Sequence, residues 1–141
     1  MKYDKEDEAL KLLRGIRSMT HLINELQEQV TRLYTSLTST TIRLKELDVQ
    51  TSGDDDPLGN KMSDIVEYQY QIVEYQRQLS AKRKLALDIV KTMELKYQPY
   101  ILTRYFNDKT IEQIAEEQDK SYRWTWEMLH EAEEEFIEKY I

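Results

Sequence analysis

Apolar residues in the first half of the chain alternate at spacings of three and four. Ile16, Ile23, Val30, Leu37 and Leu44 recur every seven residues, and Met19, Leu26, Leu33, Thr40 and Leu47 interleave with them. Ala9 and Leu12 extend the series backwards. This pattern predicts one long helix with a narrow apolar seam, as in coiled coils. Asp4, Glu6, Asp7 and Glu8 cluster at its start, where the helix dipole favours negative charge. Gly15 inside it costs roughly 1 kcal/mol relative to alanine and predicts bent or frayed first turns. One helix alone leaves the seam in water, so a partner helix is required, from the same chain or from a second copy.

The seam stops at TSGDDDPLGN, residues 51–60, where glycine, proline and three aspartates predict a loop, placed at 50–62. Read as a calcium loop opening at Asp54, it puts Leu58 and Ile65 where ligating oxygens belong, so a solvated turn is the reading. Ser63 then caps a second helix over about 63–97, with Ile65, Val66, Ile72, Val73, Leu79, Ala86, Ile89, Val90, Met93 and Tyr97 as its apolar positions. Residues 1–97 thus form a long antiparallel helical hairpin. Two helices make a thin core, and a homodimer is expected to complete it. Tyr68, Tyr70 and Tyr75 line a helix–helix interface or stack on single-stranded bases. Lys82-Arg83-Lys84 is the strongest basic run, either a solvated face or a phosphate contact.

Residues 98–141 change character. Pro99 breaks or kinks the second helix, and three short helices follow at about 98–106, 110–117 and 121–139. Asn107-Asp108-Lys109 and Gln118-Asp119-Lys120 make the turns between them. Thr110 and Gln113 have the spacing of a capping box, and Ser121 is placed to cap the last helix. On a helical wheel Thr125, Met128, Leu129, Ala132 and Phe136 share the core face. Arg123, Glu127, His130 and Glu134 lie opposite, with Trp124 and Trp126 on the two shoulders. The fold class is therefore all-α: a coiled-coil-like hairpin (1–97) followed by a trihelical helix-turn-helix domain (98–141).

Composition narrows the chemistry. The chain has 141 residues with three glycines, two prolines and no cysteine, which suits long helices and excludes disulfides and thiolate metal sites. No apolar run reaches the roughly 18 residues that a membrane span needs, and the N-terminus MKYDKEDEALK is charged. The expectation is a protein of the cytoplasm, without membrane contact. His21 and His130 stand alone, so no metal and no cofactor is expected. With no phosphate-cradling glycine loop or nucleophile elbow, the chain is not expected to be an enzyme. The net charge of −7 is concentrated at the end: residues 98–141 hold 5 Lys and Arg against 11 Asp and Glu.

Leu102, Arg104-Tyr105-Phe106, Thr110, Ile114-Ala115-Glu116, Ser121, Leu129-His130 and Ala132 carry a resemblance. Residues 98–136 resemble region four of bacterial sigma factors, especially the extracytoplasmic-function type. With a long helical part before them, the chain is similar to small phage transcription regulators of the ArpU/RinA type and to a related uncharacterised streptococcal phage family. The resemblance implies a phage or prophage regulator in a bacterial host cell, binding double-stranded promoter DNA as a homodimer. Asp119 stands where the pattern has a turn glycine, and Trp126 and Met128 where it has basic residues.

On that reading Arg123 pairs with a guanine edge and Glu127 accepts from a cytosine amine, with Trp126 and His130 beside them. Lys109, Lys120, Ser121 and Tyr122 contact phosphates. The acidity of the tail opposes phosphate binding and supports a different reading, a module that binds RNA polymerase or another protein. A helical packaging or assembly protein is a third.

Overall fold

The computed structural model describes residues 2–47 and 57–140, and outside residues 4–39 and 57–140 it describes no side chains. Five α-helices and one π-helical turn account for nearly all of the described residues, and no strand occurs among them. The order is α1 (Lys2–Leu47), α2 (Pro57–Val90), α3 (Gln98–Ile101), a π-helical turn (Leu102–Phe106), α4 (Ile111–Gln118) and α5 (Tyr122–Lys139). The chain is all-α, as the periodicity predicts.

α1 runs without interruption through Gly15, so the helix is not frayed there. A Cβ built on Gly15 would meet only the Lys82 side chain, at 3.9 Å. α2 differs at both ends from the range 63–97. It starts at Pro57, whose fixed φ and missing N–H suit a first helical turn, and Ser63 is an exposed residue inside it. The loop placed at 50–62 is therefore shorter at its far end, and its residues 50–56 lie outside the described ones. α2 ends at Val90, seven residues before Tyr97. There the backbone tightens, Thr92 N–H donating to Ile89 O and Met93 N–H to Val90 O, both at 3.0 Å. Met93 is thereby buried, and the Glu94 N–H is taken by the Glu135 carboxylate at 3.1 Å. Pro99 sits in the first turn of α3, so it begins a helix rather than breaking one.

The chain divides into two compact units that do not follow the boundary at 97/98. One consists of residues 1–20 and 78–141, the other of residues 21–77. In the first, Ala9, Leu12, Leu13 and Ile16 of α1 and Leu79, Ala86 and Val90 of α2 are buried. Tyr100, Ile101, Tyr105, Ile114, Ala115, Thr125, Leu129, Ala132 and Phe136 from the tail are buried in the same unit. The start of α1 is tied to the tail directly: Lys5 Nζ donates to Glu138 O at 2.9 Å, and Arg17 pairs with Asp108. In the second unit Ile23, Leu26 and Ile65 are buried, and Lys61 Nζ donates to Ser36 Oγ at 2.6 Å.

The predicted seam is thus covered unevenly. Ile16, Ile23 and Leu26 are buried, Met19, Val30, Leu33 and Leu37 only half-buried, and Leu44 and Leu47 lie beyond the described side chains.

Candidate nucleic-acid interface

Local signals in the tail assemble a helix-turn-helix. Thr110 Oγ1 accepts from Gln113 N–H at 3.2 Å and Gln113 Oε1 accepts from Thr110 N–H at 2.8 Å, the reciprocal capping box. α4 closes through Asp119, which takes φ 54° and ψ 46°, the left-handed region that aspartate tolerates. Lys120 N–H then reaches back to Ala115 O at 2.9 Å. Ser121 Oγ accepts from Trp124 N–H at 3.1 Å and starts α5. These contacts span a few residues each, which is why the sequence reveals them.

The turn entering α4 is built by residues that sequence spacing does not single out. The π-helical turn ends with Asn107 N–H donating to Leu102 O at 3.0 Å. Asp108 then takes φ 55°, a left-handed residue that was not expected. Three arginines fix this corner. Arg17 Nε donates to Asp108 Oδ1 at 2.7 Å, Arg83 Nη2 to Phe106 O at 3.2 Å, and Arg104 Nη1 to Lys109 O at 3.0 Å. Arg83 also lies over the Phe106 ring, 5.9 Å from its centre. The basic run Lys82-Arg83-Lys84 therefore spends its middle member on folding.

α5 divides its faces as the wheel predicts. Thr125, Leu129, Ala132 and Phe136 are buried and Met128 is half-buried. Thr125 satisfies its hydroxyl on Ser121 O at 2.9 Å. Arg123, Trp126, Glu127 and His130 are exposed, as are Lys120, Ser121 and Tyr122, while Lys109 is half-buried. The Arg123 side chain is 89% exposed and meets Glu127 at 3.3 Å, one turn away. An exposed pair of this kind is weak and readily exchanged for another partner. Lys109 is held by Glu117, and the Lys120 ammonium lies 5.1 Å from the Trp124 ring centre.

The two tryptophans do different things. Trp124, 38% exposed against 42% for Trp126, has its edge contact with Tyr100, ring centres 6.3 Å apart. Trp126 pairs with His130, ring centres 3.8 Å apart, on the outer surface. From His130 a chain of contacts leads inward. Its Nδ1 lies 3.3 Å from Glu133 Oε2, and Glu133 Oε1 accepts from the buried Tyr105 hydroxyl at 2.6 Å. Burial, and then this hydrogen bond, push the Tyr105 hydroxyl far above the usual tyrosine range. The outward face of α5 is thereby anchored to the π-helical turn beneath it.

Charge looks different once the unit is assembled. Residues 98–141 alone carry 5 basic against 11 acidic side chains. The compact unit of residues 1–20 and 78–141 carries 15 against 17, because residues 1–20 and 78–97 add ten basic and six acidic residues to the tail. Among these, Arg14 is exposed and close enough to Tyr105 to act on its hydroxyl. The tail alone is therefore more acidic than the unit it belongs to.

Among the described residues no group of His, Asp or Glu is placed to hold a metal ion, and no helix is long and apolar enough to cross a membrane. No family model, curated protein or solved structure matches the chain. The class is accordingly defined by the fold itself: an all-α protein in which two long helices precede the short helices of the tail.

Proposed function

We propose that this chain is a transcription regulator of the phage type, which binds double-stranded promoter DNA with α5 in the major groove. The observation that carries the reading is the division of α5. Its apolar stripe is consumed by the core, while Tyr122, Arg123, Trp126, Glu127 and His130 stay outside. That is the arrangement a recognition helix needs. Arg123, held only by an exposed pair with Glu127, is free to take a guanine edge, and Glu127 then accepts from a cytosine amine. Lys109, Lys120, Ser121 and Tyr122 border that face and serve as phosphate contacts. The compact unit as a whole carries 15 basic against 17 acidic side chains, a weaker acidity than that of the tail alone. The protein acts in the cytoplasm of the bacterial host as a homodimer, so two weak readers engage two half-sites, and it uses no cofactor.

The test is a fluorescence-anisotropy titration against promoter and random duplexes at two salt concentrations. Affinity is expected to fall with salt, with a shallow slope because few cations face the groove. Arg123→Ala is expected to reduce discrimination between the duplexes by about tenfold. Equal affinity for all duplexes before and after that change would refute groove reading.

A second reading has its own observation. Trp126 with His130 forms an exposed aromatic patch on a helix rich in glutamate, and such patches anchor protein interfaces. The partner would be RNA polymerase or another protein with a basic surface. Retention of such a protein by the wild type and its loss with Trp126→Ala, without any DNA binding, would favour this reading.

A further inference from the structure

Residues 21–77 carry an apolar face that neither helix of this unit covers. α2 here repeats a pentapeptide at heptad spacing, Ile65-Val66-Glu67-Tyr68-Gln69 and Ile72-Val73-Glu74-Tyr75-Gln76. The isoleucines and tyrosines turn inward: Ile65 is buried, and Tyr68, Ile72 and Tyr75 are half-buried. One position further on, a second seam begins, rotated by about 100° around the helix. Met62, Val66, Gln69, Val73 and Gln76 continue it with the same three-four spacing. Met62 is 55% exposed, Val66 51% and Val73 65%, and Tyr70 beside them is 77% exposed. Val66, Gln69, Tyr70 and Val73 line a shallow groove of about 270 Å³. A helix in a two-helix hairpin needs one seam. Two seams of equal period belong to a helix with two helical neighbours.

We propose that the second seam is the contact between two copies of this chain, α2 lying along α2. The heptad period calls for a helix running nearly alongside, and an extended peptide has no matching period. No seam position carries a charge, in a chain where a third of the residues are charged. A charged partner finds nothing to pair with there, whereas a second copy presents the same neutral stripe. The patch is also complementary to itself. It holds a projecting side chain, Tyr70, and the groove beside it, and a two-fold axis brings each projection to the other copy's groove. Gln69 and Gln76 carry donors and acceptors that pair with their own kind. On α1 of the same unit Val30, Leu33 and Leu37 remain half-buried, so the core of this unit is itself incomplete. The inference gives a surface to the homodimer of the proposed function but uses none of its DNA contacts, and its outcome is visible without DNA.

The test is sedimentation equilibrium of the full chain. The wild type is expected to dimerise in the micromolar range. Val66→Glu with Val73→Glu is expected to weaken the dimer by about 100-fold or more, since four carboxylates would face each other across the seam. Circular dichroism should show unchanged helix content, because both positions are exposed in the single copy. A wild type that stays monomeric to about 100 µM, or a dimer indifferent to both glutamates, would overturn the proposal. The absence of native cysteine offers a second readout. Val66→Cys should cross-link between copies on oxidation, to itself or to a Val73→Cys copy, whereas Tyr34→Cys on α1 should not. Failure of Val66→Cys in both combinations would equally overturn it.

Discussion

Arg17 on the first helix donates to Asp108 at 2.7 Å, across ninety-one residues of sequence. Asp108 is one of two non-glycine residues with a left-handed backbone among those described, and it begins the turn into α4. The pair is partly shielded, at 31% and 21% side-chain exposure, and so lies between a surface and a buried ion pair. Arg17→Ala is therefore expected to cost about 1–2 kcal/mol in urea unfolding. Asp108→Ala should cost roughly 1 kcal/mol more than Asp108→Asn, which tolerates the same φ. Equal losses for the alanine and asparagine variants would show that the backbone conformation carries no cost.

Gly15 offers the opposite sign. It lies in a continuous helix with ordinary contact distance to the Lys82 side chain, so a methyl group fits there. Gly15→Ala should stabilise the protein by about 0.5–1 kcal/mol and raise Tm by about 2–4 °C. A destabilised variant would mean that α1 is not helical through this point.

Alkali should weaken the fold through Tyr105. Its hydroxyl holds its proton more tightly when folded than when unfolded, first through burial and then through the bond to Glu133. A raised folded value contributes stability that is complete below the ordinary tyrosine value of about 10 and is lost as pH rises beyond it. Tyr97 and Tyr100 shift the same way, Tyr97 chiefly through its bond to Glu131 and Tyr100 through burial. Unfolding free energy should therefore fall as pH rises past about 10, and Tyr105→Phe should flatten that fall. At neutral pH the same variant should cost about 1–2 kcal/mol for the lost hydrogen bond. An unchanged alkaline slope would place the titration elsewhere.

The tryptophans separate stability from recognition. Trp124→Ala removes the contact with Tyr100 and the cover from Lys120, and should cost about 1–2 kcal/mol more than Trp126→Ala. Trp126→Ala should leave the melting curve nearly unchanged and reduce partner binding. Thermal melts and anisotropy on both variants check this, and a reversed order of stabilities would mean that Trp126 belongs to the core.

Much of the tail was legible because its signals are local. The Thr110–Gln113 box, the Ser121 cap, the left-handed Asp119 and the core stripe Thr125, Leu129, Ala132 and Phe136 depend on residues at most one or two turns apart. The seam of α1 was legible for the same reason. The ends of α2 were not. A helix stops where its last residues find better partners than the next turn provides. Here Met93 goes to the core and the Glu94 N–H to Glu135, forty-one residues further on.

Sequence by itself determined the all-helical class, the long first helix, the capped short helices of the tail and which side of α5 stays wet, because periodicity and capping act over a few residues. Tertiary structure decided that residues 1–20 belong with the tail. It also decided that Arg17, Arg83 and Arg104 hold the turn before α4, and that the acidic tail shares its unit with the ten basic residues of 1–20 and 78–97. Those outcomes depend on which distant side chains packing brings within a hydrogen bond's reach, and heptad spacing carries no record of that.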